Sequence, residues 1–112
     1  MASDFESAVV KTSKLLKLTN LPFRYLAFSD DDAVKMPFIT YQFLYSDNMA
    51  ADGEVYVPIS RVQINLFTAQ KDLKIEQQVE SVLKGHFWTK EEEYIDSQDC
   101  YQITYEIELE GN

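Results

Sequence analysis

The sequence is short of most residues that mark a familiar chemistry. Its 112 residues include one cysteine, one histidine, three glycines and three prolines. The lone thiol, Cys100, can form no internal disulfide. With His86 as the only histidine, it also builds no structural zinc cluster, which needs several such ligands together. Few glycines and prolines confine irregular backbone to the ends and one or two loops. No apolar run approaches the length of about eighteen residues that spans a bilayer, and no secretory leader pattern opens the chain. A soluble protein made in a cytoplasm, with no membrane partner, is therefore expected. GxGxxG, P-loop, HExxH, GxSxG and CxxC patterns are all missing, so no motif points to an enzyme or a cofactor.

Positive charge is scarce as well. Ten Lys and Arg stand against nineteen Asp and Glu, a net charge of −9. Residues 1–71 hold seven basic and eight acidic residues, whereas residues 72–112 hold three and eleven, a net of −8. Such a surface repels phosphates, so specific DNA or RNA binding is not expected; a basic partner is compatible with it, and the charge also favours solubility. Hydrophobic residues make up 46% and charged residues 26%, an ordinary globular balance. A chain of this length buries roughly two-thirds of its unfolded surface, enough for one core, and residues 1–112 read as a single domain.

The clearest pattern is a period of two at the C-terminal end. Tyr101, Ile103, Tyr105, Ile107 and Leu109 point one way, and Gln102, Thr104, Glu106, Glu108 and Glu110 the other. That alternation specifies a strand with one dry and one wet face. Phe23–Phe28 and Phe38–Tyr45 read as strands, as does Val55–Thr68 with a bend or edge at Pro58. Phe87–Ile95 is a further, more polar strand. Residues 3–17 carry Phe5, Ala8, Val9, Thr12, Leu15 and Leu16 at helical spacing, with Ser3 and Glu6 set as a capping box and Asn20 and Pro22 as the stop. Asp72–Leu83 is a second helix with Ile75, Val79, Val82 and Leu83 as its stripe, Asp72 as N-cap and Gly85 past its end. The order α-β-β-β-α-β-β predicts an α+β domain: one mostly antiparallel sheet with two helices packed on one face.

Few residues invite a chemical role. His86 follows a helix end and has no partner at metal or triad spacing, so a surface or capping role fits it best. Cys100 sits among acidic residues that raise a thiol pKa, which suits a small filler rather than a nucleophile. Asp30-Asp31-Asp32 runs on into Ala33 and Val34 where an EF-hand loop would continue, and in the loop Asp47–Glu54 Met49 and Ala51 fill the alternate positions, so no metal is assigned. Glu91 and Glu93 share one strand face and Glu92 takes the other, which suits a solvated edge. Seven Tyr and seven Phe fall mostly on strands; most suit a core, and Tyr45, Tyr56 and Trp88 suit an interface. The Ser46–Glu54 loop is the longest polar connection and the best docking loop.

One run of segments resembles a known family. Met36-Pro37-Phe38-Ile39-Thr40-Tyr41 leads to Ser46-Asp47-Asn48 and Ala51-Asp52-Gly53-Glu54-Val55-Tyr56. Val62-Gln63-Ile64-Asn65-Leu66-Phe67-Thr68 follows, then Lys71-Asp72, Glu76, Val79-Glu80 and Leu83, then Tyr94-Ile95 and Tyr101 to Tyr105. From Met36 to Leu109 this series resembles the small tail-completion, or tail terminator, proteins of long-tailed bacteriophages and prophages of Gram-positive bacteria. The resemblance implies an α+β fold and a structural role in the virion at the head–tail junction, with no catalytic residues. It implies self-association into a ring, commonly hexameric, that caps the tail tube, meets the major tail-tube protein and a head-completion or neck protein, and lets DNA pass without specific binding. On that footing Tyr45, Asp47, Asn48, Met49, Asp52, Glu54, Tyr56 and Trp88 are expected at protein interfaces. Glu91, Glu93, Glu106, Glu108 and Glu110 are expected to form an acidic channel face. Two rivals stay open: an acidic DNA-mimic inhibitor of a nucleic-acid enzyme, and an enzyme with a pocket around His86 or a carboxylate pair.

Overall fold

The computed structural model describes residues 4–28, 34–45 and 59–109. They form two helices and a five-stranded mixed sheet, an α+β domain. Helix α1 (Asp4–Lys17) is followed by β1 (Phe23–Tyr25), β2 (Phe38–Tyr45) and β3 (Ile59–Thr68). Then come α2 (Leu73–Leu83), β4 (Trp88–Ile95), a single 3-10 turn at Asp96–Gln98, and β5 (Cys100–Glu108). Ser3, the segments 29–33 and 46–58, and Glu110 lie outside the described residues. With them go the expected cap at Ser3, the bend at Pro58 and the aspartate run.

The strand order is β1-β2-β3-β5-β4. β2–β3, β3–β5 and β5–β4 are antiparallel, but β1 runs parallel to β2, so the expectation of a mostly antiparallel sheet gives way to a mixed one. A parallel neighbour needs a connection of about a dozen residues, and residues 26–37 supply it. β1 also stops at Tyr25, short of the expected Phe28. β5 lies between β3 and β4, and α2 carries the chain from β3 across to the edge position of β4.

One face of the sheet is dry. Ile39, Tyr41 and Phe43 of β2, Val62, Ile64 and Leu66 of β3, and Ile103, Tyr105 and Ile107 of β5 are buried in one cluster. Ala8 and Leu16 of α1 and Val79 and Leu83 of α2 complete that cluster, so both helices cover the same face. The inward residues recur every second position along each strand, and a one-residue slip would turn all of them to water.

Local chemistry sets the helix ends. The Asp72 carboxylate accepts from the Ile75 amide at 3.2 Å and caps α2. Gly85 has φ +98, a left-handed conformation that a side chain disfavours, and the His86 amide turns back to the Leu83 carbonyl at 3.0 Å. Asn20, at φ 63, plays the matching part after α1. The buried Thr19 hydroxyl donates to the Leu16 carbonyl at 2.7 Å, and the Gln78 amide donates to the Thr19 carbonyl, joining the two helices.

Candidate functional site

No described helix packs on the other sheet face, and its chemistry changes from one edge to the other. Near β1, Phe38 packs between Phe28 and Phe67 with ring centroids 5.1 and 5.2 Å away, and the Arg24 guanidinium lies 5.4 Å from the Phe28 ring. At the centre, Asn65 is only 7% exposed and hydrogen-bonded through both ends of its amide. Its Oδ1 accepts from Gln63 Nε2, Gln102 Nε2 and Thr104 Oγ1 at 3.1, 3.2 and 3.2 Å, and its Nδ2 donates to Thr40 Oγ1 at 3.4 Å. Cross-links of this kind hold side chains of three strands in one plane and leave few polar groups free to adapt.

Toward β4 the face becomes acidic. The register sets Thr89, Glu91 and Glu93 opposite Glu106, Thr104 and Gln102. Alternation along β5 puts Glu108 on the same side, and Arg61 faces it from β3. Glu91, Glu93, Glu106 and Glu108 thus share one surface. The Arg61 guanidinium reaches Glu106 at 3.5 Å and offsets part of that charge. Glu91, Glu93 and Glu108 are exposed. Residues two apart on a strand lie about 7 Å apart on its face, so the carboxylates form a spaced array, hydrated at Glu91, Glu93 and Glu108 and partly covered at Glu106.

The inward side of β4 bears a different set of charges. Glu76, on the buried side of α2, is 1% exposed. Lys71 Nζ meets its Oε2 at 2.8 Å and Lys90 Nζ meets its Oε1 at 2.8 Å. Lys90 also reaches Glu80 at 2.7 Å, where the Tyr105 hydroxyl donates to the same oxygen at 2.8 Å, and Lys71 also pairs with Glu92. Burial alone pushes the Glu76 carboxyl up, but the two ammonium groups outweigh it and hold the pKa below its ordinary value. Hydrogen bonds to Glu76 and Glu92 raise Lys71; Lys90 ends up raised because Glu76 and Glu80 overcome the effect of burial. Burial, and then Glu80, push the Tyr105 hydroxyl strongly up. This network fastens α2 to the edge strand and so holds the acidic outer surface in position.

The other sequence candidates are dispersed. Trp88 points toward the helices and packs edge-on against Tyr105 at 5.6 Å, half-buried against the core; its ring is engaged inward, away from the open face. Tyr45 ends β2, and its side chain lies outside the described residues together with Asp47, Asn48, Met49, Asp52, Glu54, Tyr56 and Glu110. His86 lines a shallow groove with Leu15, Leu18 and Leu109, and no described acid lines it. Cys100 is buried, and burial and then Asp99 raise its pKa, which leaves little thiolate. No group of three or more His, Cys, Asp or Glu among the described residues is set to hold a metal ion. No described helix is long and apolar enough to cross a membrane.

The pattern reading missed the Glu76 network. Glu76 stands three residues before Val79 and seven before Leu83, on the apolar stripe of α2, and a carboxylate in such a stripe calls for a buried cation. Lys90 falls on the inward parity of β4 with Trp88, which supplies the other half of that signal. The chain matches no protein-family model and no curated protein sequence.

Proposed function

We propose that the chain is a structural subunit of a phage tail terminator: it caps the tail tube and offers the surface on which the head joins, as a ring around the DNA path. The reading starts from the ordered resemblance between Met36 and Leu109. The structural observation that carries it is the sheet with one face sealed by helices and the other left open and acidic. A ring needs two complementary lateral surfaces on each subunit, and the exposed edges β1 and β4 lie on opposite sides of the sheet. Glu91, Glu93, Glu106 and Glu108 facing the bore would repel phosphates within about one Debye length, about 8 Å at physiological salt. DNA then slides past without being gripped. The partners are further copies of the chain, the major tail-tube protein and a head-completion protein, and the working location is the virion.

The test is genetic and direct. In the phage or prophage that carries this gene, deletion should give tubes of abnormal length or tails that never join heads. Normal tails and intact virions from the deletion strain would overturn the reading. The gene should also lie after the head-completion genes and just before the major tail-tube gene.

The same four carboxylates favour one other reading, an acidic mimic of DNA that blocks a nucleic-acid enzyme. A mimic binds its target enzyme with strong salt dependence, whereas a terminator binds tail-tube protein. Pull-down of each candidate partner at low and high salt separates the two.

A further inference from the structure

The end of the molecule where α1, the start of β4 and the end of β5 meet carries two features that neither the fold nor the ring explains. The first is a shallow apolar groove of about 410 Å³, lined by Leu15, Leu18, Leu109, His86 and the stems of Lys11 and Lys14. Leu18 is 66% exposed there, an apolar side chain left facing water. The second is Phe87, the most exposed large apolar residue described, at 77%. It stands beside Arg61, Glu106 and Glu108 at the edge of the acidic face.

We propose that the occupant of the groove is a second copy of this chain, with Phe87 of each copy entering the groove of the other. Two arguments on the molecule itself select that partner. The chemistry matches: the groove is apolar at its floor and basic at its rim, and the last turns of α1 add Lys17. The knob is aromatic at its tip, and at its base Glu106 and Glu108 outnumber Arg61. In a protein of net charge −9, the late turns of α1 form a local basic surface, so the acidic end of another copy meets attraction there. The placement matches too. His86 lines the groove and Phe87 is its chain neighbour, so knob and groove occupy adjoining sides of one end. With the knob on the open-face side of that end and the groove on its helix side, a two-fold axis across the end turns each knob toward the other copy's groove. A large aromatic in a desolvated pocket, ringed by charged pairs, is the usual centre of such an interface. The pair differs from the edge-to-edge contacts of the ring and does not rest on the virion role.

Sedimentation velocity of the purified full chain, from micromolar to millimolar and at low and high salt, tests this. A monomer–dimer equilibrium weakened by salt is expected. Phe87→Ser and Leu18→Glu should each weaken it at least about tenfold. Lys14→Glu and Glu108→Lys should each weaken the homodimer by a smaller factor. Mixed together, those two charge variants should recover a heterodimer, because one contact of the mixed pair regains opposite charges and the other is unaltered. A wild-type chain that stays monomeric throughout overturns the proposal. So does association that ignores Phe87→Ser, or a mixture with no recovery. All of these substitutions are on exposed side chains, and recovery in the mixture shows that both charge variants are folded. Deletion of the gene tests the tail reading separately, so either proposal can fail without the other.

Discussion

Glu91, Glu92 and Glu93 follow one another in the chain, yet they occupy two different electrostatic settings. Glu92 turns toward the helices and pairs with Lys71, which also holds the buried Glu76. Glu91 and Glu93 turn to the open face, opposite Thr104 and Gln102. A single backbone rule, alternation, sorts identical side chains into a structural group and a surface group. Inside, each charge is fixed by an opposite one and serves to hold an edge strand against a helix. Outside, Glu91 and Glu93 make no described ion pair and act only on what they face. Substitutions that respect this division should therefore separate stability from function.

The largest effect is expected at the centre of the inner network. Glu76→Ala leaves Lys71 and Lys90 without their shared carboxylate. Breaking a buried ion pair costs about 3–5 kcal/mol, but both lysines can turn partly to water, so a loss of about 2–3 kcal/mol is expected in urea unfolding. Acid should probe the same group. Glu76 has a folded pKa below its ordinary value of 4.5, so its contribution is present above that pH and is lost as pH falls through the lower folded value. Lys71 and Lys90 are raised above 10.5, so their contribution is complete below that pH and fades only as pH rises through the raised values. Stability measured from pH 6 down to pH 2 should fall less steeply in Glu76→Gln than in the parent. Equal slopes would show that the network does not govern the acid limb.

Next in size is Tyr105→Phe. The ring is buried and packs against Trp88, so its apolar contacts survive the change. What is lost is the hydrogen bond from the hydroxyl to Glu80 at 2.8 Å. A bond to a charged group contributes about 1.5–3 kcal/mol; Glu80 keeps Lys90 and some access to water, which points to a loss of about 1–2 kcal/mol. A double-mutant cycle with Glu80→Gln should show coupling between the two positions, and additivity would break the comparison at that point.

The elements that could be read from the sequence are those written in local periodicity. Ile39, Tyr41 and Phe43, then Val62, Ile64 and Leu66, then Ile103, Tyr105 and Ile107 announce their inward parity without any partner strand. Asp72 and Gly85 mark the ends of α2 by chemistry that acts within one turn. β1 was legible as a strand, but its parallel pairing was not, because three residues, Phe23–Tyr25, carry no directional signal and their neighbour is set by a distant connection. Glu76 was hidden for a related reason: its meaning depends on Lys71, just before α2, and on Lys90, which reaches it only once β4 takes its place at the sheet edge. Of the candidate site, the shared face of Glu91, Glu93, Glu106 and Glu108 followed from parity, but that β4 and β5 are neighbours became visible only in the fold. For Trp88 aromatic enrichment could not tell a core side from an interface side, and its ring packs half-buried against Tyr105.

The smallest effects separate the two faces most sharply. Lys71 and Glu92 are 37% and 44% exposed, and a pair so open to water contributes about 0.2–1 kcal/mol at most. Glu92→Gln should therefore cost a few tenths of a kcal/mol and lose that cost in high salt, where exposed charges are screened. Glu91→Gln with Glu93→Gln should change stability by less than about 0.5 kcal/mol, the usual range for surface sites that make no special contact. Removing two like charges from a strongly acidic surface can even stabilise slightly, since it relieves self-repulsion. On the proposed tail-terminator reading, the ordering should invert in infection. If the acidic face lines the DNA path, the Glu91 and Glu93 pair of changes should slow or block DNA passage while Glu92→Gln leaves it untouched. Infectivity measured alongside urea unfolding for both variants provides the check. Should the stable outer-face variant be fully infectious even as Glu91→Lys with Glu93→Lys, which would grip phosphates in any narrow bore, that face does not look onto DNA.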